Sequence, residues 1–168
     1  LNNSTPSRFR ADIRLRMEEF ASAVRANSEF AAQYRPQLIR TLFVDDCIDR
    51  NREFNAGGAR YYGSIVNVAG LTDAANSLAA MRGIPEKFGN DSPEVDEIAR
   101  KLAHHVFSLI RRYPMRQGGP AYPAVILLTG YAWHGSYVDA SADGRPAGAP
   151  VVDSAGAVAG TDRNGPTA

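Results

Sequence analysis

Apolar side chains recur at three- and four-residue spacing through Phe9, Ile13, Met17, Phe20 and Val24, which predicts one amphipathic helix running to about Tyr34. Thr5-Pro6 is its start signal, with proline tolerated in the first turn. Pro36 interrupts the pattern and opens a second helix to about Arg50, with Leu38, Ile39, Leu42 and Phe43 as its core positions. A polar, glycine-paired turn, Asn55-Ala56-Gly57-Gly58-Ala59-Arg60, then runs into a β-branched and aromatic stretch, Tyr61 to Val68, which reads as a buried strand. A helix follows from Leu71 to Met81, capped by Thr72, with Leu71, Ala75, Leu78 and Ala79 facing inward. Ser92-Pro93-Glu94 opens the most strongly signalled helix, because a capping serine, a first-turn proline and early acids coincide there. Its apolar stripe is Val95, Ile98, Leu102, Val106, Leu109 and Ile110, and Arg111-Arg112 close it. Gln117-Gly118-Gly119-Pro120 turns the chain into Ala124–Leu128, an unbroken apolar run that predicts a strand covered on both faces.

From Asp139 onward the pattern fails. Eight of the last thirty residues are glycine or proline, and almost none is large and apolar. Such a segment buries little surface of its own and is either disordered or a long loop laid over a scaffold. The pattern thus divides the chain into a helical lead-in (1–35), a helix and strand core (36–138) and a Gly/Pro-rich loop (139–168).

Composition narrows the function classes. The chain has 168 residues, 44% of them hydrophobic, enough for one domain with a sizeable core. Nineteen basic against eighteen acidic residues leave a net charge of +1, so no electrostatic footprint for nucleic acid or an anionic membrane exists. No apolar run approaches the roughly 20 residues of a membrane span. A single cysteine excludes an internal disulfide and suits a cytoplasmic location. The chain stops after Pro166-Thr167-Ala168 without a closing helix or strand, which predicts a piece of a larger protein.

The glycine-paired octet ending in Tyr61-Tyr62 resembles the Asn-Ala-Gly-Gly-Ala-Arg-Tyr-Asn segment of glycyl radical enzymes, the pyruvate formate-lyase and diol or choline lyase superfamily. The resemblance extends through Leu42–Arg50, Asp73–Ala80 and Lys87–Asp91. It closes with Asp143-Gly144-Arg145-Pro146-Ala147-Gly148 and Asp162-Arg163-Asn164-Gly165-Pro166-Thr167-Ala168, and covers about Gln37 to Ala168. Two departures stand out: the connection after Met81 is shorter than in the family, and Tyr62 replaces an asparagine.

The resemblance implies an α/β fold: the C-terminal part of a ten-stranded barrel, helix-rich, with a few buried strands and a long C-terminal loop. It implies a parent that breaks C–C, C–O, C–N or C–S bonds of a small substrate through a thiyl radical, as lyases, dehydratases and formate acetyltransferases of anaerobic metabolism do. The glycyl radical would come from an activating enzyme that uses S-adenosylmethionine and an iron–sulfur cluster, and the parent would be a cytoplasmic homodimer. The family's radical glycine motif, Arg-Val-x-Gly-Tyr-like, is not found here. Cys47 matches a helix position rather than the radical-bearing loop. This stretch alone is therefore expected to be catalytically silent, with no catalytic residue and no bound cofactor of its own. The competing expectation is a non-catalytic helical binding or structural module, or a degenerate paralogue.

Few side chains suggest chemistry. Cys47 reads as a small buried hydrophobe. His104 and His105 are adjacent on a helix, about 100° apart, and do not chelate one metal; with His134 they complete no familiar ligand set, so no metal is expected. Tyr131, Trp133 and His134 end the strand that begins at Ala124, where side chains either pack or face a substrate cavity. Alternation places Tyr131 and Trp133 on one face and His134 on the other. Arg60 either holds an anion or pairs with Asp45, Asp46 or Asp49. Asn55, Gly57 and Gly58 read as turn formers, and Asp143, Gly144, Arg145, Asp162, Arg163, Asn164 and Gly165 as loop-fixing residues.

Overall fold

A computed structural model describes residues 7–164. The elements in order are α1 (Ser7–Tyr34), α2 (Leu38–Phe43), β1 (Ser64–Asn67), α3 (Leu71–Ala80), α4 (Pro93–Arg112), a 3-10 turn (Arg116–Gly118), β2 (Ala121–Ala124) and α5 (Gly130–Ser136). They fall into two compact units. One comprises residues 67–106 and 124–164; the other comprises residues 7–66 and 107–123. The chain is helix-rich and carries one two-stranded sheet among its described residues. The Ser64 amide donates to the Pro120 carbonyl and the Val68 amide to the Ala124 carbonyl, both at 2.9 Å. Pairing that advances four residues on both strands together is parallel.

In the first unit, α3 and the first part of α4 supply the buried apolar residues. Ala75, Leu78 and Ala79 are buried on α3, and Val95, Ile98 and Leu102 on α4, with Leu102 only 1% exposed. The three- and four-residue spacing of that stripe is why α4 is a helix; its amide at Asp96 bonds the Ser92 carbonyl. Val151 and Val152, in the loop after α5, are buried as well.

The second unit is built on α1, the glycine-paired turn and the end of α4. Ala21 and Ser28 are the buried residues of α1. Gln117, in the 3-10 turn, donates from Nε2 to the Ser28 carbonyl at 3.2 Å. Leu109, Ile110 and Met115 are also buried here, while Val106 at the boundary is half-buried.

Several expectations are corrected. The second helix ends at Phe43 rather than near Arg50, and residues 44–50 form turns. Asp46 has φ +70°, a left-handed conformation that a continuing helix excludes. Its core positions are not core: Leu38, Ile39, Leu42 and Phe43 are 64–83% exposed. Phe20, in the α1 stripe, is also exposed, whereas Phe9, Ile13, Met17 and Val24 are half-buried. The strand expected over Tyr61–Val68 is the four-residue β1, buried on one face only; Ser64 and Val66 point in, while Ile65 and Asn67 are exposed. Thr72 does not cap α3. Gly70, at φ +70°, occupies the cap position, and the Thr72 hydroxyl donates instead to the Gly156 carbonyl.

The run Ala124–Leu128 is not a strand covered on both faces. β2 ends at Ala124, and Ile126 and Leu128 are exposed. Pro123 gives the ladder no amide, and Leu128 has φ +50°, outside the extended range a strand needs. Thr5-Pro6 and residues 165–168, including Gly165, lie outside the described residues.

Candidate functional site

The glycine-paired turn is assembled by charged side chains from the chain before it. Glu53 is its organiser. Its carboxylate accepts the Gln37 amide at 2.6 Å and the Ala56 amide at 3.1 Å. The Thr41 hydroxyl, itself bonded to the Gln37 carbonyl, accepts the Phe54 amide. Asn55 is buried and donates to the Arg35 carbonyl at 2.7 Å, and the Tyr62 hydroxyl donates to the Asn55 carbonyl. Phe54 and Tyr62 meet edge to face with centroids 5.6 Å apart.

The two glycines do different work. Gly57 has φ +89°, which any side chain would strain. Gly58 is needed for space, because a Cβ there would lie 1.9 Å from the Arg52 carbonyl oxygen and 3.1 Å from the Cys47 sulfur.

Cys47 is 1% exposed and sits in the 44–50 turns rather than in a helix. Replacing it by alanine removes one buried atom, which should cost about 1 kcal/mol in chemical denaturation. A loss well above that would mean that the sulfur does more than fill the space beside Gly58.

Arg60 is in the same unit. Its Nε and Nη2 both donate to one oxygen of Asp46, with Asp45 3.8 Å away. Arg50 holds the other Asp46 oxygen at 2.9 Å. The hydrogen bond from Arg60 holds the Asp46 carboxyl below its usual range and raises the guanidinium in turn. An arginine so engaged has little left for a substrate anion, and the pair is exposed enough to contribute little to stability.

The other candidates belong to the first unit, and here the secondary structure is corrected. Tyr131, Trp133 and His134 stand on α5, a short helix, so strand alternation does not sort them. Trp133 is 61% exposed and packs edge-on against His134 and Tyr137. Tyr131 lines a cleft of about 540 Å³ with Asp73, Lys87, Asp143, Arg145 and the 146–158 loop. His134 lines a neighbouring cleft that shares Asp73 and Arg145. His104 is exposed on α4. Among the described residues, no three His, Cys, Asp or Glu side chains are placed to hold a metal ion.

Two aspartates organise that cleft. Asp143 is almost fully buried at its side chain. It accepts hydroxyl protons from Ser141 and Ser77 and pairs with Lys87 at 3.4 Å. Burial pushes its pKa up, but the Ser141 hydroxyl and the Lys87 ammonium outweigh that and leave it below the ordinary value. Its stabilising contribution is thus present above about pH 4 and fades as the pH falls through the lowered value. Asp73, on α3, accepts the Val152 amide at 2.8 Å. Arg145 lies 3.7 Å from its other oxygen and donates to the carbonyls of Asp139, Pro146 and Ala149. Gly144 has φ +95°. Asn90 accepts the Arg163 amide at its side-chain oxygen, and its carbonyl accepts from the Asn164 side chain. Asp162 is exposed.

Asp73, Lys87 and Glu53 were not visible as site residues. Asp73 looks like an ordinary first-turn acid and Glu53 like a solvated one. Asp73 acts through the Val152 amide and Glu53 through the Gln37 amide, 79 and 16 positions away, which no local spacing encodes.

A family model described as pyruvate formate lyase-like matches residues 7–84. The chain is 24% identical over 170 residues to the trans-4-hydroxy-L-proline dehydratase of Clostridioides difficile, a match covering 82% of this chain and 22% of that protein. A structure concerned with 1,2-propanediol dehydration in Roseburia inulinivorans superposes with a TM-score of 0.88 at 25% identity, over 95% of this chain and 25% of that one. The glycerol-bound B12-independent glycerol dehydratase from Clostridium butyricum superposes with a TM-score of 0.87 at 24% identity, over 95% and 24%. The chain therefore spans about a fifth to a quarter of the length of these relatives.

Proposed function

We propose that this chain, pyruvate formate lyase-like over residues 7–84 and folded as part of a glycyl radical enzyme barrel, is a scaffold portion of a dehydratase of that superfamily. The observation that carries the reading is the superposition on the 1,2-propanediol dehydration structure, at a TM-score of 0.88 over 95% of the chain. The hydroxyproline dehydratase match supports the same class. In the parent, a thiyl radical removes a hydrogen atom from a carbon of a small hydroxylated substrate. The hydroxyl on the neighbouring carbon then takes up a proton given up by the substrate radical and leaves as water, and the hydrogen atom returns to the product radical.

This chain supplies position rather than the reacting atoms. Its one cysteine is packed against Gly58, and Arg60 is committed to Asp46. The radical cysteine and the radical glycine belong to other parts of the parent, and an S-adenosylmethionine-dependent activating enzyme installs the radical. The parallel strand pair and the helices around it order one part of the barrel, so that substrate and radical meet in fixed geometry. A cytoplasmic homodimer completes the proposal.

The test is anaerobic turnover of the activated parent on glycerol, 1,2-propanediol and trans-4-hydroxy-L-proline. Release of water and a dehydrated product from at least one of them is expected. Turnover confined to a carboxylate that loses carbon dioxide would reject the dehydratase assignment and keep the radical one. No turnover and no radical would reject both.

A further inference from the structure

Residues 137–164 carry no regular helix or strand, yet they are fixed to α3 and to Lys87, in the connection after it, at discrete points. Asp143 reaches Ser77 and Lys87, Asp73 takes the Val152 amide, and Thr72 donates to the Gly156 carbonyl. At two glycines the segment approaches closely enough to exclude a side chain. A Cβ on Gly89 would meet the Ala157 Cβ at 2.5 Å, and one on Gly135 would meet the Ala149 carbonyl oxygen at 2.3 Å.

What the segment lacks is an apolar anchor of any length: Val151 and Val152 are its buried hydrophobic residues. The neighbouring α4 is held by a continuous stripe from Val95 to Leu102. The latches are discrete hydrogen bonds and one ion pair, shielded from water at Asp143 and Asp73, that break locally, whereas a buried apolar stripe opens only with its unit. The same segment also forms one wall of the cleft that Asp73, Lys87 and Tyr131 line from the other side.

We propose that residues 139–158 are a strap, latched to α3 by Asp73 and Asp143, that lifts as a unit while α4 stays folded and thereby opens the cleft. This goes beyond the dehydratase reading and does not depend on it.

Hydrogen exchange with mass spectrometry tests it. The reporters are the amides of Ser141, Gly148 and Val152, which bond the Arg145 carbonyl, the Val138 carbonyl and the Asp73 carboxylate. In the unsubstituted chain the strap should exchange faster than residues 95–106 of α4. Asp143→Asn keeps the shape but removes the charge facing Lys87, and should speed strap exchange at least tenfold while α4 is unchanged. Gly89→Ala, which wedges the strap at Ala157 without touching either aspartate, should do the same towards residue 158. Strap and α4 exchanging at one rate in the unsubstituted chain, whether slow or fast, overturns the proposal. So does an Asp143→Asn strap that exchanges no faster than the original.

Discussion

Gly58→Ala should destabilise the second unit by at least about 3 kcal/mol, the upper end of what overpacking costs in a well-filled core. The reason is the backbone. A Cβ at Gly58 would stand 1.9 Å from the Arg52 carbonyl oxygen and 3.1 Å from the Cys47 sulfur, and a carbonyl cannot swing aside as the end of a lysine can. Arg52 is held as well, since its amide bonds the Cys47 carbonyl at 2.9 Å. Gly57→Ala is the control. Its cost comes from φ +89° and a 3.3 Å approach to the Gln117 side chain, which predicts a smaller loss of about 1–2 kcal/mol. Urea denaturation followed by circular dichroism compares the two. An equal or larger loss at Gly57 would mean that dihedral strain, not crowding, explains why the motif carries two glycines.

Leu102→Ala should cost about 2–5 kcal/mol. Leu102 is among the largest fully buried side chains and lies mid-way along α4, with Val95 and Ile98 buried on preceding turns. Alanine favours the helix itself, so the whole loss would come from the cavity and the lost apolar contacts. A change below about 1 kcal/mol would show that α4 is not the spine of its unit. Leu102→Met, which keeps most of the volume, should recover most of the stability.

These two positions also mark what the amino-acid pattern makes legible. α4 can be read from the chain because every signal for it is local: a capping serine, a first-turn proline, acids then bases, and an apolar period matching the helix. The glycine pair can be read for a similar reason, since a turn with two residues lacking side chains constrains the backbone on either side. The failures have a common cause in what surrounds an element. Leu38, Ile39, Leu42 and Phe43 have helical spacing, but spacing does not say what covers the face, and here they are exposed. Ala124–Leu128 has the composition of a strand buried on two sides, yet a strand needs neighbours, and β2 has β1. Tyr131, Trp133 and His134 carry strand-like aromatic character in a segment short enough for either period, and the helix won. The clamp of Asp73 and Arg145 was least visible, because 72 positions separate residues that meet at 3.7 Å.

That this chain is part of a glycyl radical enzyme is tested most directly by electron paramagnetic resonance after anaerobic incubation with the activating enzyme and S-adenosylmethionine. The intact parent should develop a protein-centred glycyl doublet, and the 168-residue chain, treated identically, should develop none. An intact parent that stays silent beside an activating enzyme shown to work on its own partner would contradict membership in that chemistry. A doublet from the 168-residue chain alone would contradict the assignment of its residues to the scaffold.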